Sequence, residues 1–497
     1  MKLEILRNNY EEYKNKVAAY TLALNSNSFG IATIAPEAGK PFIGEMNSIL
    51  AGELFSYSVA PENIKMIEQL RDKSDDDMER KECELRLREL YNTAKVPKEV
   101  YVDYQLELAK SQRIWEEAKE SDNWPLFKDE LVSVINKTKH LLTYYDIEGS
   151  SYDFLLDQYQ MGMNTKKYDA FFETIKSELV PFIKKVVAAK QIDDRPLFTN
   201  FPAKQQAQFT EILKEALAMD VQKVYITESV HPFTSFFSSN DARFTTRYHE
   251  SSLMSAILST IHEYGHALYV LQVNPAFEKT SFFSEIGYAM HESQSRLLEN
   301  HVGRDRGFWQ LHYPTLRTLF HEQLRDVELP EFLRMINKSE PSLIRIEADE
   351  LTYPLHILIR YELEKMIFDE NVSLDNLDQL WADKYEEYLG VRPSTAGEGI
   401  LQDMHWSAAN FGYFPTYALG SAYAAQFFQQ MEKDFDVQET IAQGNFVKVQ
   451  DWLRENIHQF GASKTGDELI KDVTGEAFDP RYYTNYLIKK FSNIYQL

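Results

Sequence analysis

The chain is 497 residues long, with 44% hydrophobic and 26% charged residues, proportions of a globular protein able to bury a sizeable core. Its net charge of −23 argues against nucleic acid and anionic membrane as partners, because both are held by concentrated Lys and Arg. A single cysteine, Cys83, excludes an internal disulfide, MKLEILRNNYEEYKNK lacks a signal peptide's apolar run, and no stretch reaches the roughly 18 apolar residues of a membrane span, so a cytoplasmic protein is expected.

Residues 1 to about 190 read as long polar helices with apolar residues at helical spacing. They are Leu3–Leu24, Met46–Leu54, Glu62–Leu70, Asp75–Thr93, Lys98–Lys119, Pro125–Leu142 and Tyr168–Lys190. Asn25–Pro41, rich in Gly, Pro and Ser, reads as a loop, and Ser74–Asp77 as an acidic N-cap region. After a helix over Pro202–Asp220, Lys223–Thr227 and Ala242–Tyr248 turn β-branched and aromatic, which predicts two short strands joined through Ser229–Asp241. Strands there offer an edge along which an extended peptide can dock. Helices resume over Ser284–Val302, Phe308–Leu324, Pro330–Ile336, Ser342–Phe368, Leu374–Leu389, Tyr417–Asp434, Phe446–Asn456 and Thr465–Thr474. Without internal repeats or low-complexity linkers, residues 1–497 read as one mainly α unit: a helical wall or lid over 1–200 and a catalytic region over 201–497.

Between the predicted strands and Ser284 lies Leu253–Gln272, whose Met254, Ile257, Leu258, Ile261 and Leu268 mark an amphipathic helix. It contains His262-Glu263-Tyr264-Gly265-His266, an H-E-x-x-H pentad. Residues four apart share a helix face, so both imidazoles can reach one ion, with Glu263 placed to take a proton from water. Zinc lowers the pKa of water from about 15.7 to about 7, which makes the pentad the core of a hydrolytic site. A stability-only helix has little use for Gly265, which costs up to about 1 kcal/mol against Ala; close approach of a second element explains it. Eight of the 12 histidines fall between His231 and His321.

A catalytic zinc takes three protein ligands and keeps one position open. Ser284–Val302 offers Glu285, Glu292 and Glu299, seven apart and near one helix face, and spacing does not choose among them. Glu292 stands four residues before Arg296, a spacing that by itself indicates a surface salt bridge.

Six segments in order give the chain a family likeness: His231-Pro232-Phe233, Asp241-Ala242-Arg243-Phe244-Thr245, the pentad, His291-Glu292-Ser293-Gln294, Ile344-Arg345-Ile346-Glu347-Ala348-Asp349 and Gly399–Trp406. The chain resembles the thermostable carboxypeptidase Taq family of metallocarboxypeptidases, over most of its length and most densely from about 225 to 425. The resemblance implies a helical zincin fold split by a deep substrate groove, with a small β-sheet near the zinc site. It implies His262, His266 and Glu292 as metal ligands and Glu263 as general base. It makes Arg345 the cation for the terminal carboxylate of a peptide, a task that suits a planar guanidinium, with pairing to Glu347 or Asp349 as its structural alternative. For the oxyanion the candidates are Tyr417, the closer match to the family's phenol, and His405, which can instead orient a neighbour. His231 and Arg243 look like determinants of how peptides enter, or are paired for structure. Glu362 and Glu364 read as ion-pair partners, and the aromatic run Phe411–Tyr417 as packing.

The expected protein is thus a zinc carboxypeptidase, with Co²⁺ or Mn²⁺ also suited to the ligand set, acting on peptides with a free C-terminus. The resemblance further implies a homodimer. An endo-acting zinc oligopeptidase and a non-catalytic peptide-binding protein with a structural metal are the alternatives.

Overall fold

The computed structural model describes residues 2–370 and 372–497. Helical periodicity resolves into long helices whose apolar stripes meet in two clusters. The larger runs from Trp115 to Tyr495 and gathers the pentad helix Leu253–Gln272, the helix Tyr288–Arg296 and the helix Pro415–Asp434. The smaller joins Leu3–Thr33, Pro61–Lys73 and Asp77–Lys95 through Leu6, Tyr10, Ile67, Leu70 and Leu87. Cys83 lies inside it, and burial pushes its thiol up to about 12, leaving it unreactive at neutral pH. No helix among the described residues is long and apolar enough to cross a membrane.

Several elements differ from the expectation for physical reasons. The segment Asn25–Pro41 is not a loop: the first helix continues to Thr33 and the next begins at Lys40. Its extra turns are anchored by Phe29, which is buried against Tyr225, Phe233 and Phe237, and this tertiary packing outweighs the weak propensities of Ser and Asn. Asp76 caps the helix Asp77–Lys95 as the acidic cluster predicts, accepting from the amides of Met78 and Glu79. Ser342–Phe368 is not one helix. A single 3₁₀ turn at Arg345–Glu347 precedes the helix Tyr353–Phe368, which starts at Pro354 in its first turn, where proline is tolerated. Phe308–Leu324 likewise breaks at Phe320 into Arg306–Leu319 and His321–Leu324. The helices Ser151–Tyr159, Val437–Ala442 and Arg481–Tyr495 were not anticipated.

The sheet has three strands, not two: β1 (Val224–Glu228), β2 (Thr234–Ser238) and β3 (Asp241–Thr246), in the order β1-β3-β2. β1 runs parallel and β2 antiparallel to β3, with an irregularity between Phe236 and Ser238. The central strand is the most buried of the three, with Ala242, Phe244, Thr245 and Thr246 all buried. β2 lies at the edge, inside the segment read as a connection. Because side chains alternate across a strand, Thr234 meets Glu263 of the pentad helix and Phe236 stacks on His291 of Tyr288–Arg296, while Phe237 faces Phe29 of the first helix.

Candidate metal centre

Three helices approach at backbone distance around the pentad, and two glycines permit it. A Cβ on Gly265 would lie 2.5 Å from Ser295 Cα and 2.6 Å from the carbonyl oxygen of Gln294. A Cβ on Gly420, in the helix Pro415–Asp434, would lie 2.8 Å from Glu292 Cβ. The close approach expected from Gly265 is thus present, and it brings Glu292 over the two histidines.

His262 Nε2 stands 3.7 Å and His266 Nε2 3.4 Å from Glu292 Oε2, and the three donor atoms all lie within 4.8 Å of one another. Each ring is turned by its other nitrogen. His262 Nδ1 meets Glu299 Oε2 at 2.8 Å, an acceptor that fixes the proton on Nδ1 and leaves the Nε2 lone pair facing inward. His266 Nδ1 meets His291 Nδ1 at 2.6 Å, and burial holds His291 well below the usual imidazole range, so that it is neutral and can accept from His266. Two imidazole lone pairs and a carboxylate oxygen then converge on one point, a donor set that repels itself and is relieved by a divalent cation.

Glu292 is buried, and burial alone would push its carboxyl up. Arg296 Nε at 2.7 Å and the two histidines outweigh that and hold it far below the usual range. Burial likewise opposes ionisation of Glu299, yet Arg296 and His262 hold it at about 2. The Glu292–Arg296 pair is therefore no surface salt bridge but part of the buried ionic frame. Of the three glutamates, Glu285 leaves the set, since it caps the short helix Ser281–Ser284 and lies outside Tyr288–Arg296. Glu299 stays near the centre as the partner of His262, on a π-helical turn, Leu297–Val302.

Glu263 is 8% exposed, and its Oε2 accepts the hydroxyl proton of Thr234 at 2.6 Å. No sequence signal marked Thr234, which lies in the unanticipated strand.

Arg345 is buried, and its structural partner is neither Glu347 nor Asp349 but Asp403: Nε and Nη2 lie 3.0 and 2.9 Å from Oδ1. Asp349 instead caps the following turn, accepting from the Thr352 hydroxyl at 2.8 Å. The other oxygen of Asp403 takes Arg360, wholly buried, at 2.7 Å from Nε and 2.5 Å from Nη2. Against burial, the two guanidinium groups hold Asp403 far below the carboxylate range. Burial raises Glu364 to about 7; it accepts from Trp406, Tyr152 and the Gly412 amide and forms no ion pair among the described residues, unlike Glu362, which pairs with Lys384. Two buried cations thus share one firmly ionised carboxylate.

Arg345 also lies 5.2 Å over the ring of Tyr417, whose hydroxyl is 3.3 Å from His405 Nε2. Burial lowers His405 to about 3 and raises Tyr417 well above the phenol range, so both are neutral at pH 7. His405 Nδ1 is buried without a partner. A bare lone pair there costs less than an unsatisfied N–H, which favours the proton on Nε2, donated to the Tyr417 oxygen. Phe411 and Phe414 pack in the core, as the aromatic run suggested.

His231 and Arg243 are not gathered with these groups. His231 is exposed, and Arg243 points to the sheet face away from the pentad helix, paired with Asp241 at 2.6 Å and stacked 4.1 Å over Phe237.

A family model described as carboxypeptidase Taq (M32) metallopeptidase matches residues 9–491. The chain is 36% identical over 501 residues to carboxypeptidase 1 of Bacillus subtilis, with 100% of each chain covered. It is 37% identical over 420 residues to thermostable carboxypeptidase 1 of Thermus thermophilus, covering 82% of each. Among solved structures, the M32 carboxypeptidase of Deinococcus radiodurans superposes with a TM-score of 0.96 at 28% identity, over 99% of this chain and 100% of that one.

Proposed function

The chain belongs to the carboxypeptidase Taq (M32) metallopeptidases, and we propose that it releases residues one at a time from the free C-termini of peptides at the centre formed by His262, His266 and Glu292. The observation that carries this reading is the convergence of those three donors, with Glu263 one residue from the first of them. A divalent ion in this set, zinc in our reading with cobalt or manganese also suited, supplies Lewis acidity and makes water ionisable near neutral pH.

The side chains divide the remaining work. Glu263, its Oε2 fixed by Thr234, accepts the proton of the attacking water and returns it to the leaving amine. Tyr417 receives a hydrogen bond from neutral His405 and so turns its own O–H toward the oxygen that gains charge on the scissile carbonyl. Arg345 takes the terminal carboxylate, which supplies the negative charge that the Arg345–Asp403–Arg360 cluster lacks. Burial strengthens this attraction, and the aromatic faces of Tyr417 and Phe414 support the guanidinium while it waits.

The test is residue release from paired peptides that end in a free acid or an amide, with and without a chelator. The reading requires release from the acid form, little from the amide and none after metal removal. Internal cleavage of the amidated peptide would instead identify an endopeptidase.

A further inference from the structure

A cavity of about 710 Å³ opens between the helices Leu3–Thr33, Lys40–Ser58 and Asp77–Lys95 on one side and β2 with residues 278–285 on the other. Leu22, Leu54, Phe55, Phe236, Phe237 and Phe283 give it apolar walls. No side chain placed in the reaction lines it; Phe236 links it to the metal centre, its ring stacked 5.4 Å from that of His291.

Arg86 also lines this cavity, and it is 7% exposed yet poorly partnered. Among the described residues its one hydrogen bond is a long one, from Nη2 to the carbonyl oxygen of Lys279 at 3.5 Å. The one carboxylate within 4 Å among those residues belongs to Glu82, with Oε1 3.9 Å from Nη2, and it is already engaged. Its Oε2 accepts from the Tyr10 hydroxyl at 2.5 Å and its Oε1 from the Ser281 amide at 3.1 Å. Arg86 Nε is buried without a partner, whereas Nη1, also without one, is not enclosed and so opens on the cavity that the residue lines. A guanidinium has five N–H donors, and a buried one this short of acceptors is stabilised by any anion that reaches it.

We propose that this cavity binds a small apolar monocarboxylate, which accepts a hydrogen bond from Arg86 Nη1 and lays its hydrocarbon part along Leu54, Phe55 and Phe237. The other charges on the wall limit the ligand to one negative charge. Glu278 accepts from the Ser239 amide and hydroxyl, Lys279 donates to Asn15 at 2.9 Å, and Glu89 and Glu285 are exposed. A dianion such as a phosphate monoester would bring its second charge up to these carboxylates. The proposal stands apart from the peptidase reading, since it uses none of the same side chains.

Isothermal titration of the metal-loaded full chain with octanoate tests this. A saturable site is expected, and Arg86→Met, which keeps the stem but not the charge, should weaken it by about tenfold or more. Ala18→Phe, at a half-buried position on the cavity wall, narrows the space without touching Arg86 and should weaken it similarly, so the test does not depend on how a substitution at a buried arginine folds. Octanamide, the same body without the charge, should bind about tenfold more weakly or worse. Arg345→Met should leave octanoate binding unchanged, which separates this cavity from the peptidase site. The proposal is overturned by no saturable binding up to about 10 mM, by binding undiminished in both Arg86→Met and Ala18→Phe, by octanamide binding as tightly as octanoate, or by loss of the site in Arg345→Met.

Discussion

Thr234 on the edge strand donates its hydroxyl proton to Glu263 on the pentad helix at 2.6 Å, so the proposed base is positioned by the strand beside it rather than by its own helix. Glu263→Gln should lower kcat by about 10²- to 10⁴-fold with metal content unchanged. Thr234→Val removes only the hydroxyl and should cost roughly tenfold in kcat, with KM little affected. Equal activity in wild type and Glu263→Gln would remove Glu263 from the chemistry.

Glu299 acts through His262. Glu299→Gln keeps an acceptor but loses the charge that balances Arg296, and should weaken metal binding by about 10- to 100-fold. Chelator competition measures this directly, and an unchanged affinity would leave Glu299 with a structural role alone.

Gly265→Ala gains up to about 1 kcal/mol in helix propensity but drives a methyl group into the backbone of Ser295. Overpacking against backbone costs about 1–3 kcal/mol or more, so the net change is destabilising. Urea unfolding should show it, together with weaker metal binding as Tyr288–Arg296 is pushed away.

Arg345→Met should lower kcat/KM for free-acid peptides by about 10²-fold or more and leave the slow turnover of amidated ones unchanged. Arg345→Lys should recover part of the loss, since a point charge replaces the planar fork. If Arg345 only pairs with Asp403, acid and amide substrates will decline together.

Buried Glu364 gives a pH signature. Its carboxyl is raised from 4.5 to about 7 by burial, so the folded state holds the proton more tightly than the unfolded chain. The associated stability is complete below pH 4.5 and is lost as pH rises through about 7, by about 3 kcal/mol at most. His301 has the opposite sign: burial lowers it to about 3, so its contribution is present above pH 6.5 and is lost on acidification. Glu364→Gln, which cannot ionise, should therefore gain stability relative to wild type between pH 5 and pH 8, as read by denaturant midpoints; a constant difference contradicts the assignment.

The site was legible in the sequence only where local spacing decides geometry. His262 and His266 follow from their separation on one helix, and Gly265 announced the tight contact that Ser295 makes. Glu292 could not be separated from Glu285 and Glu299 by spacing, because the helix ends that move Glu285 away depend on tertiary packing; family resemblance supplied the choice. Asp403 lies 58 residues from Arg345, a separation over which no sequence pattern operates, so the structural alternative for Arg345 named only its near neighbours Glu347 and Asp349. β2 was hidden because an edge strand of Thr, Ser and Phe lacks the alternation of buried and exposed residues, and Thr234 was hidden with it.

Anomalous diffraction at the zinc edge from crystals of the zinc-loaded protein bears most directly on the central claim. A single strong peak about 2.0–2.2 Å from His262 Nε2, His266 Nε2 and a Glu292 carboxylate oxygen is the predicted result. A peak bound by other residues, or none at this position in protein that still releases C-terminal residues, would contradict it.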